Sequence, residues 1–213
     1  CQLIKEIGIL PLSAFIPDHP SLDTMTTKEQ WHTGLNSDPW LWRTRFPGEK
    51  VAAYGKFMKK KSVLVSAEIF PLFKAVIGHE EAIEERYQAG LVTKAAIELH
   101  DAIKEEPGIE TRALRARVGM KSKEMKKEFD NGLVELQSSA DIVISGVKER
   151  LNDRGENNGW NSTSFELAEH WMTHNGIPLS NIPVSEAKEQ LKSYLEKVCR
   201  PQALVFLNKT LKL

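Results

Sequence analysis

Basic side chains crowd one stretch of this chain: Arg112, Arg115 and Arg117, then Lys121, Lys123, Lys126 and Lys127, then Lys148, Arg150 and Arg154. Each can neutralise a phosphate, and a set of them gives binding that weakens as salt rises. Glu124, Glu128 and Asp130 lie among these cations, which is also the pattern of a solvated helix face, so both readings stand. No asparagine, glutamine or arginine can be assigned to a base edge, and the expected preference among sequences is weak. A second group is aromatic and polar: Trp31, His32, Trp40, Trp42, Arg43, Arg45, Tyr54 and Lys56. Such residues can stack a planar ligand and fix an anion. They can equally be the core of a small domain with arginines reaching outward. A third group, Glu166, His170 and His174, repeats at four and four, the spacing of a two-histidine, one-carboxylate metal site on one helix face. Phe165, Ala168 and Trp171 would occupy the opposite face, so the trio reads as solvent-facing and no metal is expected.

Other patterns fail their chemistry. Gly48 to Lys56 lacks the glycine spacing of a phosphate loop, and Phe57 stands where a Ser or Thr must bind magnesium. His79-Glu80-Glu81 lacks the second histidine of a zinc protease motif. Ser13, Ser66 and the scattered carboxylates form no nucleophile or acid–base pair, so no catalytic residue is assigned and no cofactor is expected.

The elements that must position these groups fall into three parts. Residues 1–78 read as an irregular, aromatic-rich subdomain. Leu3, Ile4 and Ile7 suggest a first helix stopped by Gly8. The prolines of PLSAFIPDHPSL impose a loop. Asp38-Pro39 is a helix start carrying Trp40, Trp42, Arg43 and Arg45, ended by Pro47-Gly48. VAAYGKF and SVLVS suggest a β-hairpin with a lysine-rich turn, and AEIFPLFKAVIG a short helix interrupted at Pro71. Residues 79–175 are more regular. Thr93 caps a helix with the stripe Ala95, Ala96, Leu99, Ala102 and Ile103. ETRALRARVG is a short helix. Ser122 is the expected cap of a third, striped by Met125, Phe129, Leu133 and Leu136. DIVISGVKE reads as a strand, residues 152–159 as a polar hairpin turn, and Thr163 with Glu166 as a capping box opening a helix to His174. Helix, short helix, helix and hairpin is the order of a winged helix-turn-helix. Residues 176–213 supply a C-terminal amphipathic helix, with Ala187, Leu191, Tyr194, Leu195 and Val198 on one side, and a tail. The fold class is therefore α+β, mostly helical.

Composition sets the outer limits. The chain has 213 residues, 41% hydrophobic and 27% charged, as in ordinary globular proteins. Its formal net charge is zero, so any contact with nucleic acid must come from a local patch. Cys1 and Cys199 make no framework or ligand cluster, and a reducing cytoplasm is expected. Neither a membrane span nor a signal peptide is expected.

The pieces HTG, DPWLWR and AYGKF within residues 32–73, together with the stretch from Ala89 to Trp171, resemble a group of bacterial proteins labelled AlkZ-related. The resemblance implies a winged helix and DNA as partner. The AlkZ family proper, a more distant relation, consists of DNA glycosylases that excise bulky alkylated bases. Their chemistry depends on a Gln-x-Gln or Gln-x-Asp pair, after a glycine and two apolar residues, that positions the attacking water. Here that stretch is Gly8-Ile9-Leu10-Pro11-Leu12-Ser13. Pro11 and Ser13 stand at the two polar positions. The expectation is a cytoplasmic winged-helix protein that binds DNA without demonstrated catalysis. The alternatives are a glycosylase with Trp40, Trp42, Tyr54 and Arg43 as its pocket, and a protein- or ligand-interaction module on the same scaffold.

Overall fold

The computed structural model describes residues 2–148 and 162–213. From the N-terminus, α1 (Gln2–Ile7) leads into β1 (Ile9–Pro11), α2 (Leu22–Met25) and a single 3-10 turn at Lys28–Gln30. Then come α3 (Pro39–Gly48), β2 (Ala52–Met58), β3 (Lys61–Ser66), α4 (Phe70–Ile77) and α5 (Ile83–Gln88). The next elements are α6 (Lys94–Glu105), β4 (Ile109–Glu110), α7 (Thr111–Arg117), α8 (Lys126–Ser138), β5 (Ile142–Lys148) and β6 (Ser162–Leu167). The chain closes with α9 (Ala168–His174), α10 (Val184–Val198) and α11 (Pro201–Leu211). The fold is α+β, with small antiparallel sheets ordered β1-β3-β2 and β4-β6-β5.

The first sheet is buried on both faces, which explains why its strands read as nearly continuous apolar runs. Side chains alternate across a strand. Tyr54 and Leu64 enter one core, with Leu99, Leu114, Phe129 and Phe165. Ala53, Val63 and Val65 enter the other, with Phe70, Phe73, Trp171, Leu191 and Leu207. β2 also packs on α3, α8 and β5, which joins the two sheets' surroundings.

Local signals act as expected at several points. The Thr93 hydroxyl accepts from the Ala96 N–H at 3.2 Å, and all five residues of the α6 stripe are buried. Asp38 caps α3, accepting from Trp40 N–H at 2.9 Å. α10 buries Ala187, Leu191 and Leu195 against the body, chiefly on α4. The β2–β3 turn is only Lys59-Lys60, both in the left-handed region, at φ 48° and 60°. Each such position costs a non-glycine residue roughly 1–2 kcal/mol.

Three expectations are corrected. Pro71 does not interrupt a helix. It sits in the first turn of α4, where its missing N–H costs nothing. α8 begins at Lys126 rather than directly after Ser122: the Ser122 hydroxyl accepts from Met125 N–H at 3.4 Å, as a cap does, but it closes a separate turn ahead of the helix. Thr163 and Glu166 do not open a helix. They lie in β6, paired with β5, and helix starts only at Ala168. Ser-Thr-Ser-Phe-Glu-Leu alternates, and a waiting partner strand outweighs a local capping pattern. Within the tail, residues 201–211 form a further helix, α11. The polar turn at 152–159 lies outside the described residues.

Candidate nucleic-acid interface

α7 presents its arginines because its one fully buried side chain, Leu114, turns the opposite face outward. Gly119, at φ +71°, then lets the chain leave the helix. The turn from Met120 to Met125 is held by Arg115. Its Nε donates to the Met120 carbonyl at 2.9 Å, and Nη2 donates to that of Ser122 at 3.0 Å. Its guanidinium also lies 5.4 Å from the centroid of the Phe129 ring. Arg115 thus braces the turn, a use its type and spacing did not reveal. Arg117 lies 3.5 Å from Glu105 and 3.6 Å from Glu106. Lys126 pairs with Asp130 at 3.2 Å, one helical turn on. Lys121, Lys123 and Lys127 are exposed, and among the described residues they make no ion pair. Lys121 and Lys123 therefore project from the turn before α8, and Lys126 and Lys127 from its first turn. Lys148 ends β5, while Arg150 and Arg154 lie outside the described residues.

α8 approaches α6 closely at Gly132. A Cβ there would come within 2.8 Å of Leu99 Cδ1 and 3.3 Å of the Ala95 and Ala96 backbone. The glycine fixes how deeply α8 seats on the body, and so where its exposed lysines stand.

The aromatic group is divided rather than gathered. Tyr54 is buried in the core. Trp42 stacks on Phe46 at 6.0 Å and donates its indole N–H to the Asn36 carbonyl at 3.0 Å. Trp31 donates to the Thr26 hydroxyl at 2.8 Å. Trp40 carries the Arg43 guanidinium 3.7 Å from its ring centroid and the His32 ring at 5.0 Å. Arg43 Nε is buried there without a partner among the described residues. Arg45 pairs with Glu49 at 2.6 Å. The Lys56 backbone N–H donates to the Gln137 side chain at 3.0 Å.

Asp38 organises this segment. Besides Trp40 N–H it accepts from His32 N–H at 3.1 Å and Gly34 N–H at 3.0 Å. Burial pushes its carboxyl up, but the three N–H donors and the nearby His32 outweigh burial and leave it below the usual carboxylate range. A depressed folded value means stability that is present above the ordinary carboxylate range and lost as pH falls through the folded value. Asp38→Ala is expected to cost about 1–2 kcal/mol and to flatten that acid limb, read by urea unfolding from neutral to acidic pH. An unchanged acid limb would refute the assignment.

Glu166 sits in β6 and His170 and His174 in α9, yet they remain close. His170 Nδ1 lies 2.8 Å from Glu166 Oε2, and the two rings stack at 6.1 Å. Among the described residues no group of three His, Cys, Asp or Glu is placed to hold a metal ion. Burial raises the Cys199 thiol to about 11, which leaves it protonated at neutral pH. Pro11 is buried in β1 opposite Val63, while Ser13 is exposed in the following loop. Among the described residues no helix is long and apolar enough to cross a membrane.

A family model described as AlkZ related matches residues 1–212. No curated protein and no solved structure matches the chain.

Proposed function

Because the chain belongs to the AlkZ-related family, we propose that it is a DNA-repair-associated protein whose residues 79–175 form a winged helix-turn-helix. α8 and the turn before it contact duplex DNA. The observation that carries this reading is the sequence α6–β4–α7–α8–β5–β6 with β6 central in its sheet, and exposed lysines where α8 begins. In a winged helix the third helix enters the major groove and the hairpin after it touches phosphates. α8 is that third helix. Lys121, Lys123, Lys126, Lys127 and Arg117 serve its side of the interface, and Lys148, Arg150 and Arg154 serve the hairpin side. Arg115 contributes by holding the turn. Contact through phosphates, without assigned base readers, gives weak sequence preference. The protein acts in the cytoplasm and needs no cofactor for this binding.

The reading assigns no catalysis. Proline offers no side-chain group to orient a water, and exposed Ser13 is a poor replacement for a carboxylate.

The test is a gel shift across salt concentrations with Lys123→Glu/Lys126→Glu/Lys127→Glu. At about 100 mM salt the variant should bind short duplex DNA on the order of 100-fold more weakly. The slope of log affinity against log salt should be shallower by about 2–3. Unchanged affinity and slope would overturn the interface. The same incubation with alkylated duplex should yield no alkali-labile sites above a protein-free control, and their appearance would make this an enzyme.

A further inference from the structure

A second basic surface lies at the other end of α8. The β2–β3 turn, Lys59-Lys60, and the first residue of β3, Lys61, set three lysines in a row, and Lys59 meets the end of α11, which carries Lys209 and Lys212. Lys59, Lys209 and Lys212 line a cleft of about 460 Å³ with Ser138, Thr210 and the apolar side chains of Phe57, Val76 and Ile77. Among the described residues no carboxylate side chain lines it. All five lysines are exposed, and none makes an ion pair among the described residues. Lys59 Nζ is steered across the Phe206 ring, 4.3 Å from its centroid.

The backbone makes this more than a solvated corner. Lys59, Lys60 and Lys212 all occupy the left-handed region, at φ 48°, 60° and 55°. A two-residue hairpin turn with both residues at positive φ favours Asn-Gly, and a helix end favours glycine. Lysine at each of these positions is the costlier choice for the backbone. Helix α11 explains Lys209 and Lys212 in part, since cations complement a helix C-terminus. It does not explain three consecutive lysines in the neighbouring hairpin. Five like charges gathered without an ion pair among the described residues, three of them at positive φ and Lys59 resting on the Phe206 ring, fit a surface kept for an anion.

We propose that this corner is a second phosphate-contacting surface, taking the backbone of the nucleic acid whose groove α8 enters. This rests on the reading of α8 as the DNA-contacting helix. α8 has 13 residues, so its ends stand about 20 Å apart. Its first turn carries Lys126 and Lys127, and Ser138 at its other end lines the cleft. A separation of that order reaches from a groove to the backbone flanking it. A duplex bent toward the protein would engage both surfaces and release more counterions than α8 alone.

The test is Lys59→Asn/Lys60→Gly, which removes two charges while giving the turn its preferred residues. The variant should melt roughly 2–4 °C higher. It should also bind short duplex DNA on the order of tenfold more weakly at low salt, with a salt slope shallower by about two. Higher melting with unchanged affinity and slope overturns the proposal, since the lysines would then serve only the turn. Unchanged DNA binding with lost sedimentation on phosphatidylserine vesicles also overturns it, in favour of a lipid surface. If wild-type protein binds no duplex, this proposal and the α8 reading fall together. If Lys59→Asn/Lys60→Gly weakens binding while the triple lysine variant of α8 does not, the corner stands and the α8 surface falls.

Discussion

Arg86→Met is expected to remove roughly 3–5 kcal/mol of folding stability. Arg86 is 3% exposed. Its Nη1 and Nη2 donate to the two carboxylate oxygens of Asp141 at 3.1 and 2.8 Å. Asp141 also accepts from the Ser139 hydroxyl, and its backbone carbonyl accepts from Ala168 N–H at 2.9 Å. The pair therefore ties α5 to the entry of β5 and the start of α9. Methionine fills much of the arginine's volume but leaves a largely buried carboxylate with one neutral partner. The cost lies in that uncompensated charge rather than in any large net gain from the pair. Arg86→Met/Asp141→Leu should therefore recover much of the loss, and a double-mutant cycle measures the coupling. The single variant should melt roughly 6–20 °C lower. A loss under about 1 kcal/mol would show that water enters and relieves the charge.

Trp171→Ala should cost about 3–5 kcal/mol. Trp171 is 2% exposed and meets Phe70 edge to face at 5.6 Å. Its indole N–H donates to the Pro47 carbonyl at 3.1 Å. Truncation leaves a cavity between α9, α4 and the end of α3, and also strips the Pro47 carbonyl of its shorter donor, leaving it the Lys50 N–H at 3.4 Å. Trp171→Phe separates the two effects. It keeps most of the ring packing and loses only the hydrogen bond, so it should cost about 1–3 kcal/mol. Chemical unfolding of both variants checks the order. Equal losses would show that the hydrogen bond, not the packing, carries the site. Because Trp171 joins α9 to the helix carrying Arg43 and Trp42, its loss reaches both parts of the chain that the sequence separated.

The sequence was most legible where one local signal had no competitor. The α6 stripe repeats at helical spacing, and every member is buried. Asp38 precedes a proline and a helix, and it caps that helix. Two β-branched runs around lysines form a hairpin. Reading failed where a local pattern met a stronger tertiary partner. Thr163 and Glu166 match a capping box, but β5 supplies a ladder and the segment becomes strand. Ser122 is a plausible cap, yet α8 starts only at Lys126. That shift moves Lys123 from a helix onto a braced turn.

The site divides in the same way. Which residues carry positive charge between Arg112 and Lys127, and that family features run along nearly the whole chain, were determined by the sequence alone. Those properties belong to residue type and order. Tertiary structure decided which cations are free and which are occupied. Arg115 is spent on the carbonyls of its own turn, and Arg117 and Lys126 are paired, while Lys121, Lys123 and Lys127 face solvent. It also brought Arg86 to Asp141, and Lys59 to Lys209 and Lys212, across long stretches of chain. No periodicity encodes such meetings. They follow from how two cores close over the opposite faces of one small sheet, and that geometry exists only once the whole chain has packed.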